Sequence, residues 1–217
     1  MKYVIFDLDG TLLDSMWVWE NIDIEFLSRY EKTPTPKVRQ QVKSLSIRQS
    51  IDLYKTLFGL TQSVEEIMVE MSQMGSDKYE TEVTLKPFVL DYLKKLKKNN
   101  IPMCIATAST KNNVMPALKR LNMLEYFDFI ITAEDMKTGK NDPEIFHLCA
   151  QKFGAQPKDI VVFEDALHAI TTAKSAGFSV VAVHDKSAQD DELAIKTLAD
   201  WYINDFSEMN ELFCKLF

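Results

Sequence analysis

The sequence predicts an α/β protein, a parallel-sheet core interrupted near its start by a helical insertion. From residue 85 onward, short β-branched or apolar runs alternate with longer segments of helical period, the pattern of successive βα units. An apolar strand, Lys2 to Leu8, opens the chain, yet the segment after it, about 15–83, is almost wholly helical. The length of 217 residues, 46% of them hydrophobic, admits one large domain or a domain with an inserted piece.

The first strand is closed by Asp7 and Asp9. In the insertion, Trp19, Ile22, Phe26, Leu27 and Tyr30 share one helical face, and Ile47, Ile51, Tyr54 and Phe58 another, ended by Gly59. Thr33 to Pro36 reads as a turn joining helices. A further helix starts at Ser63 with Glu66 three residues on, a capping box, and runs through Ile67, Met71 and Met74. Core strands are expected at Ile101–Ala106, Phe129–Thr132, Ile160–Phe163 and Ser179–Val183. Helices are expected at about 87–98, 112–121, 143–153, 166–176 and 189–199, with Asp142 as an N-cap before Pro143 and with Gly154 and Gly177 as C′ residues.

Composition excludes several function classes. No apolar run approaches the ~18 residues needed to span a bilayer or suits a signal peptide, so no membrane partner is expected. Cys104, Cys149 and Cys214 are odd in number, far apart and set in apolar segments, which reads as buried thiols in a reducing cytoplasm. With 25 Lys+Arg against 32 Asp+Glu the net charge is −7, and the run Lys94, Lys95, Lys97, Lys98 reads as one helix's solvated end, so no nucleic acid is expected.

In an open parallel sheet, ligands bind at the carboxyl ends of the strands, beside the point where strand order reverses. The first strand ends in Asp7-Leu8-Asp9-Gly10-Thr11, another in Thr107-Ala108-Ser109 and another in Glu164-Asp165, while Lys140 precedes the helix that begins at Pro143. So many acids on one rim repel one another unless a hard cation sits among them, and an oxygen-only donor set favours Mg²⁺. A metal on one side, with Lys140 and a hydroxyl facing it, suits a phosphoryl group.

Asp7-Leu8-Asp9-Gly10-Thr11-Leu12, Thr107, Lys140 and Glu164-Asp165, in this order and spacing, resemble the four motifs of the haloacid dehalogenase superfamily. The helical cap between the first two motifs is similar to its phosphatase and β-phosphoglucomutase branch. The resemblance implies a Rossmann-like core, residues 1–14 and 84–217, and an α-helical cap, 15–83. It implies a Mg²⁺-dependent phosphatase acting on a small phosphomonoester, a sugar phosphate being one candidate. Asp7 is then the nucleophile and forms an aspartyl phosphate, and Asp9 the general acid and base. Thr107, the amide of Ala108 and Lys140 hold the phosphoryl group, and Asp7, the carbonyl of Asp9, Asp165 and Glu164 hold the metal. The family's usual Lys-Pro pair is broken here by Asn141. From the cap, Trp19 and Arg48 are candidates to touch substrate. A phosphosugar mutase is the rival enzyme, although family mutases carry a histidine where Trp19 stands. A phospho-receiver module has similar residues but no need of so long a helical insertion.

Overall fold

The structure, a computed structural model, describes residues 1–42, 47–132, 135 and 140–217; the side chain of Ile47, assigned above to a helical face, lies outside that set. Contacts divide the chain into two compact units, Met1–Met16 with Glu82–Phe217, and Trp17–Thr81.

Strand β1 (Tyr3–Phe6) is apolar without alternation because both of its faces are covered. After it, β2 (Leu13–Asp14) pairs antiparallel with β3 (Thr84–Leu85), so Ser15, Met16, Glu82 and Val83 go with the sheet unit. This small ladder joins segments some seventy residues apart and has no local sequence signal.

The helical unit contains α1 (Met16–Arg29, from Trp17 on), α2 (Pro36–Val42), α3 (Ile47–Phe58) and α4 (Val64–Thr81). Ile22, Phe26, Leu27, Ile51, Tyr54, Ile67, Met71 and Met74 form its buried core. The capping box is complete: the Ser63 amide donates to Glu66 Oε2 at 2.7 Å and the Glu66 amide donates to Ser63 Oγ at 3.1 Å. Helix α2 was not anticipated beyond its opening proline, since seven polar-rich residues carry too little periodicity.

The remaining chain alternates as expected: α5 (Val89–Lys98), β4 (Met103–Ala106), α6 (Lys111–Arg120), β5 (Phe129–Ile131), α7 (Glu144–Phe153), β6 (Ile160–Glu164), α8 (Leu167–Ser175), β7 (Ser179–Val183) and α9 (Glu192–Leu198). A short edge strand, β8 (Trp201–Ile203), and a terminal helix, α10 (Met209–Leu216), complete it. Neither was anticipated, β8 because three residues are too few to show a period. The Asp142 carboxylate accepts the Glu144 amide at 2.9 Å, although Pro143 occupies the cap position. One expectation is corrected: Cys104 and Cys149 are buried, but Cys214 is exposed on α10. An apolar neighbourhood in sequence does not fix which side of a terminal helix a residue takes, and single apolar residues on a protein surface are ordinary. Among the described residues, no helix is long and apolar enough to cross a membrane.

The six strands are parallel, in the order β5-β4-β1-β6-β7-β8. The chain builds outward from β1 through β4 to β5, then returns across β1 to start the other side at β6. That reversal sets the carboxyl ends of β4, β1 and β6 side by side, where the crevice of an open sheet forms.

One sheet face packs Ile5, Cys104, Val162 and Val180 with Phe146 and Cys149 of α7 and Ile170 of α8. On the other side Phe6, Tyr92, Phe163 and Phe206 form an aromatic cluster, with Phe163 and Phe206 stacked at 5.8 Å between centroids. The Tyr92 hydroxyl is buried there with no hydrogen-bond partner among the described residues, and burial pushes it far above the ordinary tyrosine range. Tyr92→Phe keeps the ring and removes a desolvated hydroxyl, so it should stabilise the fold by about 1 kcal/mol in urea unfolding. A loss of similar size would show that the hydroxyl is satisfied in solution.

Candidate active site

The end of β1 does not stop pairing at Phe6: the Asp7 amide donates to the Phe163 carbonyl at 2.9 Å, which holds the Asp7 side chain at the mouth of the crevice. The chain then turns sharply. Gly10 has φ +80°, and a Cβ there would collide with the Asp165 carboxylate, so glycine is needed both for the backbone and for the close approach. Thr11, buried, aims its hydroxyl at Asp165 Oδ1 at 3.4 Å.

Asp9 is held from two sides. Ser15 Oγ donates to Asp9 Oδ1 at 2.7 Å, and Ser109 Oγ, from the end of β4, donates to Oδ2 at 2.6 Å. Both serines were visible at segment ends, but nothing in the sequence showed that they grip one carboxylate. Thr107 continues β4 by donating its amide to the Ile131 carbonyl at 3.0 Å, and its Oγ1 accepts the Ser109 amide at 3.0 Å. Among the described residues nothing accepts its hydroxyl proton. Ala108 follows, exposed at the strand end, with no backbone acceptor for its amide among the described residues.

Lys140 is buried, and its ammonium donates to Asp7 Oδ1 and, at 2.6 Å, to Glu164 Oε1. Burial works against its charge, but the two carboxylates outweigh burial and hold it above the ordinary lysine range. The break of the Lys-Pro pair by Asn141 therefore does not keep Lys140 from Asp7. Glu164 Oε2 accepts the amides of Asp165 and Ala166 at 2.9 and 3.1 Å, which closes the turn from β6 into α8. Glu164 is thus engaged at both oxygens.

Ligand atoms of Asp7, Glu164 and Asp165, all three buried, lie within 4.8 Å of one another. Burial, reinforced by Glu164 and Asp9 and opposed by Lys140, pushes the Asp7 carboxyl up from 3.8 to about 7. Burial first, then Glu164, Asp7 and Asp185, carries Asp165 well above the ordinary carboxylate range. Asp7 Oδ2 is buried without a hydrogen-bond partner among the described residues. Three crowded, buried carboxylates fit a hard divalent cation, which would relieve their repulsion. The Asp9 carboxylate is not part of this cluster.

Of the predicted site residues, the structure brings together Asp7, Lys140, Glu164 and Asp165, and ties Asp9 to the strand end that carries Thr107 and Ala108. A cleft of about 650 Å³, lined in part by Met16, Asn141, Asp165 and His168, opens beside them. Trp19 and Arg48 belong to the helical unit. Trp19 lies against Gly75, whose missing side chain makes room for the indole, and donates Nε1–H to Tyr79 Oη at 3.1 Å. Arg48 is exposed and pairs with Glu65 at 2.8 Å.

Comparisons with known proteins bear on this arrangement of acids and one lysine. The chain is 27% identical over 177 residues to a phosphorylated carbohydrates phosphatase of Thermotoga maritima, covering 82% of each chain. It is 28% identical to a fructose-1-phosphate phosphatase of Escherichia coli, over 83% of this chain and 95% of that one. With a probable pseudouridine-5'-phosphatase of Drosophila melanogaster it shares 30% identity, over 85% and 82%. A crystal structure of a putative β-phosphoglucomutase from Thermotoga maritima superposes with a TM-score of 0.85 at 23% identity, covering both chains completely, a likeness of fold. The haloacid dehalogenase-like hydrolase profile matches residues 4–183, from β1 to the end of β7. Since that match covers most of the chain, with every residue that converges on Asp7, the chain belongs to the haloacid dehalogenase-like hydrolases.

Proposed function

We propose that the chain is a Mg²⁺-dependent phosphatase that hydrolyses a small phosphomonoester through an aspartyl phosphate on Asp7. The observation that carries this is the Asp7 carboxylate itself, buried, with one oxygen given to Lys140 and the other unpartnered. An oxygen so placed has no hydrogen-bond donor to give up when it attacks phosphorus. The phosphorylated relatives' substrates named above, all esters of polyhydroxylated groups, support a sugar phosphate as substrate class.

Asp7 Oδ2 attacks the phosphoryl group, an Oδ2–P bond forms, and the bond to the ester oxygen breaks. Asp9, steered by Ser15 and Ser109, gives its proton to the departing alkoxide. It then takes a proton from the water that attacks the aspartyl phosphate, which releases inorganic phosphate and restores both acids. The Thr107 hydroxyl, the Ala108 amide and the Lys140 ammonium hold non-bridging oxygens as charge develops. Asp7, Asp165 and the Asp9 carbonyl would hold Mg²⁺; Glu164, occupied by Lys140 and two amides, retains one lone pair on Oε1 for it. When bound, the cation neutralises phosphoryl charge. Trp19 and Arg48 of the helical unit are the candidates for recognising the rest of the substrate. Trp19 argues against the mutase alternative, because an indole does not titrate and cannot relay a proton as a histidine would.

Steady release of inorganic phosphate from p-nitrophenyl phosphate and a panel of sugar phosphates, abolished by a chelator and restored by Mg²⁺, is the expected result. Stoichiometric autophosphorylation without turnover, or full activity in the chelator, would overturn the reading.

A further inference from the structure

The sheet unit holds a second buried cation that this chemistry does not use. Lys86 follows β3, pairs with Asp185 at 2.8 Å, and donates to the His184 carbonyl as well. Their side chains are 9% and 8% exposed, so neither charge is relieved by water. The other oxygen of Asp185 accepts the Ser187 amide at 2.9 Å and the Ser187 hydroxyl at 2.7 Å. The Lys86 backbone amide donates to the Leu12 carbonyl at 2.9 Å, within the loop that begins at Asp7.

One residue therefore joins the catalytic loop to the turn after β7. That turn contributes Ser187, Ala188 and Asp191 to the cleft that Asp165 also lines. A buried ion pair adds little net stability over an apolar pair of the same volume. The pair's effect is better sought at its neighbour Asp165, on which the Asp185 charge acts.

We propose that Lys86 is a positioning residue of the cation site: paired with Asp185, it fastens the turn after β7 to the catalytic loop and cancels a negative charge at the turn that lines the cleft with Asp165. The inference rests on the metal reading above. It differs from simple fastening in the sign of its effects. Lys86→Met leaves Asp185 uncompensated and should tighten Mg²⁺ binding about tenfold, whereas Asp185→Asn leaves Lys86 uncompensated and should weaken it about tenfold. Lys86→Arg, and the double variant Lys86→Met with Asp185→Asn, should stay within about twofold of wild type.

Calorimetric titration of each protein with MgCl₂ reads these affinities directly, with thermal unfolding as the check on folding. Weaker binding in both single variants, or no change in either, overturns the inference while leaving the metal reading intact. Failure of the wild type to bind Mg²⁺ overturns both. Should Lys86→Met not fold, Asp185→Asn against the double variant decides: the double variant must bind Mg²⁺ more tightly, and equal or weaker binding overturns the inference.

Discussion

Asp7→Asn should fold as the wild type does and lose at least ~10³-fold in kcat, the scale on which one essential member of a catalytic unit acts. The substitution is nearly isosteric, and it replaces a buried carboxylate that burial and its neighbours already penalise with a neutral amide, so no folding defect is expected. Lys140 keeps its other partner, Glu164, and stays in place. What is lost is the nucleophilic oxygen and a metal ligand together. Purified Asp7→Asn protein, assayed for phosphate release beside a thermal melt, checks this. Retained turnover with an intact fold would refute the nucleophile assignment.

Asp9→Asn should slow turnover by ~10²–10⁴-fold for an alkyl phosphate. Its carboxyl group is aimed by two serine hydroxyls, and the substitution removes the acid proposed to protonate the leaving alkoxide. The loss should shrink for p-nitrophenyl phosphate, whose leaving group barely needs a proton. Comparing kcat/KM for the two esters isolates the first chemical step, so a later hydrolytic step limiting kcat does not mask the difference. Equal loss for both would remove Asp9 from the acid role.

The two variants probe different parts of one local arrangement. Asp7 is held by the sheet, through its amide on Phe163, whereas Asp9 is held by side chains from the start of α1 and the end of β4. An error of an ångström at Asp9 is therefore more easily produced by changes at Ser15 or Ser109 than by changes in the core. The acids proposed to hold the cation are less tolerant, because Gly10 and Asp165 approach so closely that any side chain at residue 10 would displace the carboxylate.

Much of the fold was legible because its signals are local. A run such as Tyr3–Phe6 is apolar on both faces, and Ser63 with Glu66 caps a helix by its own spacing. The acids that close β1 and β6 were legible too: a carboxylate has no place in a buried strand, so it marks where that strand reaches the rim. Order along the chain, from Asp7 through Thr107 and Lys140 to Asp165, identified the candidate chemistry before any distance was known.

Other features depend on segments meeting that are far apart in sequence. The Leu13–Asp14 ladder with Thr84–Leu85, the edge strand Trp201–Ile203, and the grip of Ser109 on Asp9 have no periodicity to betray them. Lys86 carries no sequence signal of its own, yet the fold buries it against Asp185. Glu164 could be counted among the metal ligands from its position, but only the turn into α8 engages both of its oxygens with Lys140 and two amides. The sequence by itself determined which groups reach the rim, since periodicity and strand ends are properties of neighbouring residues. The tertiary structure alone decided which of them touch, because hydrogen bonds and charge pairs depend on distances that no spacing along the chain encodes.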